Sequence, residues 1–336
     1  MIEAFYIRKY GGPDVLERGW LPAPVLGPRD VRIQVHAASV NPLDWKIRQG
    51  QLTVLLLYRF PLMLGNDCSG VVTEVGPQVS RFRPGDAVYS RLAKDRIGAF
   101  AQEVVADEAA VARKPASLSH TDAASLPLVL LTASQVLTEA AALKQGQSVL
   151  IHAGAGAVGN VAIQLAKHLG LHVVSTASGG NIGSVKGLGA DTVIDRQKQR
   201  FEQEVRDMDA VLDSIGMANL LRSFRCVRPG GTVVSIADGP DVSLAREFNV
   251  NRLIWPVFWA MGARPHAAAR RVGAQYRYWF MRADGQQLES LNPLTESGTI
   301  RPHVDAVFPF EQTPQAIARA EEGKARGKVV IQVRSD

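Results

Sequence analysis

A glycine-rich loop near the middle of the chain has the spacing of a phosphate-binding site. Gly154, Gly156 and Gly159 directly follow an apolar strand and open a helix, with Ala157 and Val158 in its first turn. In such a loop the first glycine turns the chain, the second lets the backbone approach a pyrophosphate, and the third lets the helix pack closely on the strand. The free N–H groups at the helix start then face the negative phosphates. The pattern predicts a dinucleotide cradle, and a tight turn without a ligand is the alternative.

The strand after this helix helps to distinguish NAD from NADP(H) as the bound dinucleotide. NAD-dependent proteins place an acidic residue about 20 residues further on, where it accepts hydrogen bonds from the ribose hydroxyls. No Asp or Glu lies between Glu139 and Asp191, so nothing local would repel a 2′-phosphate. The sequence therefore favours NADP(H). Candidate partners of the phosphate are Ser178, Asn181 and Lys186. For Lys186, an exposed position on a helix without a phosphate contact is an equally good interpretation.

The elements that position these residues change in character along the chain. Up to about Leu118, short apolar strands such as Val31–Val35 are broken by glycine and proline, which is typical of a β-rich barrel. After Asp122, helices alternate with fully apolar strands, which predicts a doubly wound parallel sheet. The predicted elements of this half are helices 131–142 and 158–169 and strands 149–152, 172–176, 192–194, 210–213, 232–236 and 276–281. A helix over 314–322 follows, and a last strand, 329–333, is expected to return to the first half.

Length and composition restrict the class of protein. A chain of 336 residues is large enough for two domains. The net charge is +6, but Lys and Arg are spread along the chain, which favours a solvated basic surface over nucleic-acid binding. No apolar run is long enough to span a bilayer, and residues 253–263 are interpreted as core, lid or subunit contact. A start at strand-like residues 2–6 without a signal peptide favours a cytoplasmic protein, in which Cys68 and Cys226 are reduced, buried thiols.

Several motifs together resemble one protein family. They are residues 39–48, 65–72, 83–88 and 327–330, together with the glycine-rich loop. Over nearly its whole length the chain resembles the medium-chain dehydrogenase/reductase superfamily, and within it the zinc-free quinone oxidoreductase and alkenal reductase-like branch. The resemblance implies an α/β protein with a GroES-like β-barrel catalytic domain, residues 1–124 with 284–336. It also implies a Rossmann domain with a doubly wound parallel sheet, residues 125–283, and a substrate cleft between the two.

The resemblance also indicates a missing metal site. Zinc-dependent members carry a Cys, a Gly-His-Glu motif and a third ligand before the Rossmann domain. Here Asn41 lies where the Cys would be, Asn66-Asp67 replaces His-Glu, and residues 123–138 contain no Cys, His, Asp or Glu. Zinc prefers thiolate and imidazole ligands, so this set predicts no metal. Without a Lewis acid, oxidation of a simple alcohol is disfavoured, and reduction of an electron-poor double bond or quinone is easier.

The expected chemistry is hydride transfer from NADPH to an electrophilic carbon of an enone, enal or quinone, with the protein positioning the reactants. Asp44 and Lys46 are the titratable candidates for relaying a proton, with a structural Asp44–Lys46 ion pair as the alternative. Tyr58 is a possible phenol donor or a packing residue, and Asp67 is expected to order the loop around Asn66. Two other functions stay open. One is an acyl-chain enoyl reductase, and the other is a catalytically silent NADPH-binding sensor or structural protein.

The resemblance assigns further residues to the site. Asn41 would lie beside the nicotinamide and the substrate oxygen, and Thr132 would contact the cofactor. The remaining predicted cofactor contacts are Ser214 near the ribose, Ile236, Ala237, Phe280 and Met281 near the nicotinamide, and Lys328 from the tail.

Assembly is predicted from the same family. Its members pair the sixth Rossmann strand across a two-fold axis, which predicts a homodimer. The segment 248–281 concentrates aromatic residues, some of which are expected to line the pocket or a dimer contact.

Overall fold

The computed structural model describes residues 1–334. The chain divides into two compact units. Unit 1 is Met1–Leu131 with the segment from Arg282 onward, and unit 2 is Thr132–Met281. Unit 1 is rich in antiparallel strands, whereas unit 2 is built on one parallel sheet, so the predicted α/β fold class is confirmed.

The first part of unit 1 consists mainly of strands. They are β1 (Ile2–Ile7), β2 (Leu16–Leu21), β3 (Asp30–Val40), β4 (Leu62–Met63), β5 (Asp67–Val75), β6 (Ala87–Arg91), β7 (Glu103–Asp107) and β8 (Val111–Arg113), with helices α1 (Pro42–Arg48) and α2 (His120–Ala124). Strand β3, predicted over 31–35, continues to Val40 because it pairs with several neighbours along its length.

Unit 2 begins within helix α3 (Pro127–Gln135). It continues with β9 (Ser148–Ile151), α4 (Ala157–His168), β10 (His172–Ala177), α5 (Ile182–Gly187), β11 (Thr192–Asp195), α6 (Phe201–Glu204), β12 (Met208–Asp213), α7 (Met217–Ser223), β13 (Val227–Ser235), α8 (Val242–Glu247), α9 (Trp255–Arg271) and β14 (Gln275–Tyr278). The strands form one parallel sheet in the order β11-β10-β9-β12-β13-β14. Its central strands are apolar because helices cover both faces of such a sheet.

The chain then returns to unit 1 with α10 (Gly285–Ser290), α11 (Asn292–Glu296), β15 (Val304–Pro309), α12 (Thr313–Glu321) and β16 (Lys328–Gln332). Strand β16 pairs antiparallel with β3, which confirms that the last strand belongs with the first half. The large sheet of unit 1 has the order β15-β16-β3-β5-β6-β8, with β7 also on β3, and a smaller sheet has the order β2-β1-β4.

Two predicted elements of unit 2 need correction. The helix predicted over 131–142 starts at Pro127, since proline suits a first helical turn, and it ends in a π-helical turn, Val136–Ala140. Residues 253–263 are mostly exposed, with Leu253 86% and Trp259 69% accessible, so only the buried Phe258 and Gly262 fit the core alternative. Within residues 1–334, no helix is both long enough and apolar enough to cross a membrane.

Candidate functional site

The predicted cofactor residues of unit 2 lie along one edge of its sheet. Parallel strands all end at the same edge, and in open α/β sheets ligands bind outside these carboxyl ends. The predicted residues follow β9 (Gly154, Gly156, Ala157, Val158 and Gly159), β10 (Ser178 and Asn181), β12 (Ser214), β13 (Ile236 and Ala237) and β14 (Phe280 and Met281). Strands β9 and β12 are neighbours at the centre, so the glycine-rich loop lies at the topological switch point. Thr132 is buried within α3.

The three glycines of the loop after β9 differ in how close a Cβ atom at each position would come to its neighbours. A Cβ at Gly154 would lie 2.2 Å from Ser175 Oγ, and one at Gly159 would lie 2.3 Å from the carbonyl oxygen of Ala153. At Gly156 the nearest atom would be the Ala153 carbonyl oxygen at 3.2 Å, a close contact but a much smaller conflict than at the other two glycines. Gly156 is the N-cap of α4 and provides no side-chain cap, which leaves the first N–H groups of the helix for an anion. The cradle therefore fits a dinucleotide pyrophosphate.

The end of β10 contains the predicted 2′-phosphate residues and one that the sequence did not reveal. Asn181 Nδ2 donates to Ser178 Oγ at 3.0 Å, so these two side chains are together, while Lys186 is exposed on α5. The backbone N–H of Arg196 donates to the carbonyl oxygen of Ala177 at 2.9 Å, which places this exposed arginine beside Ser178. Arg196 was missed because it follows β11, the next strand along the chain, and only the pairing of β10 with β11 brings it here.

In unit 1, polar residues from three strand ends form a buried cluster. We call Asn41, Asp44, Asn66, Asp67 and Lys328 the polar cluster, and all but Lys328, which is 4% exposed, are at most 1% exposed. Asn41 follows β3, Asp67 begins β5 and Lys328 begins β16, and these strands are neighbours in the sheet. Strand pairing therefore places residues together that lie far apart in the sequence.

Asn41 is fixed by hydrogen bonds at both ends of its amide. Its Oδ1 accepts from Lys328 Nζ at 2.6 Å, and its Nδ2 donates to Asp67 Oδ2 at 2.9 Å and to the Ser39 carbonyl at 3.4 Å. Both amide protons are thus used inside the unit. The predicted contact of Asn41 with a substrate oxygen stays a prediction, and it would require Nδ2 to give up its long bond to Ser39.

Asp44 is held as a buried acid rather than as the partner of a lysine. Its two oxygens accept from the Asn41 N–H and from Asn66 Nδ2, each at 2.7 Å. The first of these bonds is the N3-to-N-cap contact of a capping box, which starts α1. Burial raises the pKa of Asp44 to about 7, with a further contribution from the charge of Asp67. Lys46, half-buried on α1, forms no ion pair with Asp44 in the described chain, so that alternative is wrong.

Asp67 and Lys328 form a buried ion pair. Lys328 Nζ lies 3.2 Å from Asp67 Oδ2, and their side chains are 5% and 0% exposed. Asp67 also accepts from Ser39 Oγ at 3.2 Å and from the Leu128 N–H at 3.1 Å. Burial lowers the pKa of Lys328, although Asp67 opposes this. Lys328 Nζ thus donates to two other members of the polar cluster, Asn41 and Asp67, and the contact of Lys328 with the cofactor stays a prediction.

Several other side chains have defined roles or places. Tyr58 Oη donates to the Lys94 carbonyl at 2.5 Å. Arg91, which the sequence analysis missed, ends β6 opposite Asp67 and is 1% exposed. Its only sequence signal is an arginine at the end of a mostly buried strand, and the register with Asp67 cannot be deduced from that.

Comparisons with known proteins bear on both units. Residues 27–116 match the family described as alcohol dehydrogenase GroES-like domain, and residues 188–331 match zinc-binding dehydrogenase. The chain is 35% identical to the mitochondrial NAD(P)H oxidoreductase RTN4IP1 of Mus musculus, with 99% of this chain and 89% of that protein covered. The chain belongs to the medium-chain dehydrogenase/reductase superfamily.

Other members of the superfamily are similarly related. The chloroplastic NADPH-dependent alkenal/one oxidoreductase of Arabidopsis thaliana is 33% identical, with 98% of this chain and 79% of that protein covered. Among solved structures, the quinone oxidoreductase from Coxiella burnetii has a TM-score of 0.86 and 32% identity, with 99% of each chain covered. As a member of this superfamily the protein is an oxidoreductase with a nicotinamide cofactor.

The description of one matched family implies zinc, and the polar cluster tests whether zinc fits. The oxygens of Asn41 and Asp67 that a metal would need already accept from the ammonium of Lys328, which would repel a dication. Burial raises the pKa of the Cys68 thiol, so it does not offer a thiolate. Among residues 1–334, no three His, Cys, Asp or Glu side chains are grouped to hold a metal ion. This donor set does not fit zinc.

Gly156→Ala and Gly159→Ala separate packing from phosphate binding. We expect Gly156→Ala to lower the thermal stability less than Gly159→Ala does but to weaken NADPH binding by about 10-fold or more, because the new methyl group obstructs the pyrophosphate. Gly159→Ala should instead cost about 1–3 kcal/mol in the free energy of unfolding, since its methyl group meets a backbone carbonyl. Calorimetric titration and thermal unfolding measure the two effects. Wild-type affinity in Gly156→Ala would show that this loop does not hold the pyrophosphate.

Asp44 predicts a specific pH dependence of stability. Because its pKa is raised from 3.8 to about 7, the folded protein keeps this proton where the unfolded chain has lost it. The contribution of this proton to the free energy of unfolding is therefore complete below about pH 4. It is lost as the pH rises from about 4 to about 7, and the free energy does not change further with this group above about pH 7. The difference in unfolding free energy between wild type and Asp44→Asn should fall across this range by on the order of 1–4 kcal/mol. Urea unfolding at several pH values measures it, and a difference that stays constant contradicts the buried-acid assignment.

Proposed function

We propose that this protein is a zinc-independent, NADPH-dependent reductase of quinones or α,β-unsaturated carbonyl compounds. The observation that carries the proposal is the Lys328 ammonium between Asn41 and Asp67, where a zinc-dependent member would need metal ligands. Relatives named as a quinone oxidoreductase and an alkenal/one oxidoreductase support the substrate class. Reduction of an activated acceptor needs no Lewis acid to stabilise an alkoxide, which suits this donor set.

In this proposal, residues of unit 2 bind the cofactor and residues of unit 1 supply the proton. A bound nicotinamide supplies the hydride. The cradle at Gly154, Gly156 and Gly159 holds the pyrophosphate, and Ser178, Asn181 and Arg196 hold the 2′-phosphate. In unit 1, Asp44 is the candidate proton source, because an acid with a pKa of about 7 can donate near neutral pH. Net reduction of an enone then adds one hydride and one proton across the double bond. Asn41 and Lys328 fix the surroundings of this acid, and Lys46 stays a second candidate for the relay.

Assembly and location complete the proposal. We propose a homodimer through the edge strand β14, which among the described strands pairs only with β13, and through the exposed Trp259 nearby in the sequence. A solution mass of twice 36.3 kDa by light scattering would support it, and the monomer mass would contradict it. A cytoplasmic location is also part of the proposal, and detection in a subcellular organelle would contradict it.

Reduction of acceptors by NADPH in the presence of a chelator tests the proposed function. We expect loss of NADPH absorbance with small quinones and enones, slower loss with NADH, and no effect of the chelator. Loss of activity with the chelator and recovery with zinc would contradict the metal-free proposal. Turnover restricted to long acyl-chain enoyl substrates would indicate an enoyl reductase, and tight NADPH binding without turnover would indicate a silent sensor or structural protein.

Arg196→Ala tests the choice of cofactor. We expect kcat/KM for NADPH to fall by about 10-fold or more and that for NADH to stay within about twofold, because only NADPH carries the phosphate that the guanidinium can bind. Arg200→Ala is the matched control, since Arg200 is also exposed and lies four residues further along the chain. Equal loss with both cofactors, or equal effects of the two substitutions, would contradict the assignment of Arg196 to the 2′-phosphate.

A further inference from the structure

Arg91 is a buried cation whose hydrogen bonding is incomplete. Its side chain is 1% exposed, and only Nη1 is paired, by donation to the Leu92 carbonyl. Nε and Nη2 are buried without a hydrogen-bond partner in the described chain. Buried polar groups are normally paired, and an unpaired charge inside a protein is costly. Nε and Nη2 are therefore an exception to this rule, and a bound acceptor would remove it.

The two open nitrogens form one edge of the guanidinium. The N–H bonds of Nε and Nη2 are parallel, and this edge is the fork that binds the two oxygens of a carboxylate. A single carbonyl oxygen would satisfy only one of them. The geometry of this edge thus fits a planar anion with two oxygens.

The neighbouring acids do not supply this anion. Asp67 lies opposite Arg91 in the sheet, so both side chains are on the same face, but its charge is paired with Lys328 at 3.2 Å. Asp44 has a raised pKa of about 7, and Asp95 is exposed to solvent. Burial lowers the pKa of Arg91 in spite of these acids, which agrees with a cation that lacks a direct partner. The positive charge of Arg91 is left for a ligand.

We propose that Arg91 binds a carboxylate on the acceptor, so that the substrates are enones or quinones that carry a carboxylate group. This proposal rests on the reductase function proposed above and narrows its substrate class. The carboxylate is a recognition group and takes no part in the transfer of hydride or proton.

The loop over residues 49–61 brings Tyr58 near the guanidinium of Arg91. Tyr58 in this loop lies close enough to Arg91 for the guanidinium to oppose the rise that burial causes in the pKa of its phenol. The same loop exposes Leu57, which is 90% accessible, and its Tyr58 is fastened to the Lys94 carbonyl. Tyr58 would therefore lie close to a carboxylate bound by Arg91.

A matched pair of acceptors tests the proposal. The wild type should reduce 4-oxopent-2-enoate with a kcat/KM about 10- to 100-fold above that for its methyl ester, which lacks the charge. Arg91→Met should bring this ratio to about 1, and Arg91→Lys should retain part of it, since the charge remains but the fork is lost. The ratio is measured within each variant, so partial loss of folded protein does not affect it. No preference in the wild type, or the same preference in Arg91→Met, overturns the proposal.

A binding measurement separates this proposal from the proposed function. The saturated acid 4-oxopentanoate should raise the thermal unfolding temperature of the NADPH-bound wild type but not that of Arg91→Met, and its methyl ester should raise neither. If neutral quinones and enones are reduced and the acid neither binds nor reacts preferentially, the Arg91 proposal fails while the reductase function stands. If nothing is reduced but the acid binds through Arg91, the reductase function fails and the carboxylate site stands.

Discussion

The buried ion pair between Lys328 and Asp67 is the interaction on which the architecture of unit 1 depends. It joins the start of β16, near the end of the chain, to the start of β5, and through Asn41 it reaches the end of β3. Two charges removed from water are tolerated only when further hydrogen bonds satisfy them. Ser39, Asn41 and the Leu128 N–H provide those bonds for Asp67, while within residues 1–334 Oδ1 of Asn66, another member of the polar cluster, has no hydrogen-bond partner.

The two units differ in the charged groups that they accommodate. Unit 2 presents backbone N–H groups at a helix start, next to a glycine loop, and this arrangement suits a polyanion such as a dinucleotide. In unit 1, the polar cluster is buried at the ends of neighbouring strands. It uses Lys328 as an internal cation, and this choice is incompatible with a dication bound by the same oxygens. The superfamily fold thus carries, at this place, a donor set that does not fit zinc.

Local signals allowed much of the fold to be predicted from the sequence. The glycine-rich loop, the alternation of apolar strands and helices, and the apolar run of β16 each depend on neighbouring residues. Lys328 with Asn41, Arg91 opposite Asp67, and Arg196 beside Ser178 depend on strand pairing over long sequence distances. The sequence contains these residues but no local pattern that records their register. The helix α3 starts at Pro127, before the predicted start at Leu131, because proline is well suited to a first helical turn.

A double-mutant cycle between Lys328 and Asp67, with a chelator present throughout, tests the central claim most directly. The substitutions Lys328→Met and Asp67→Asn, singly and together, are compared by urea unfolding. The account predicts a loss of about 3–5 kcal/mol for each single substitution and a much smaller additional loss for the double one, because each single variant leaves a buried charge unpaired. Small and additive losses would contradict it, since they would mean that the polar cluster does not depend on this ion pair.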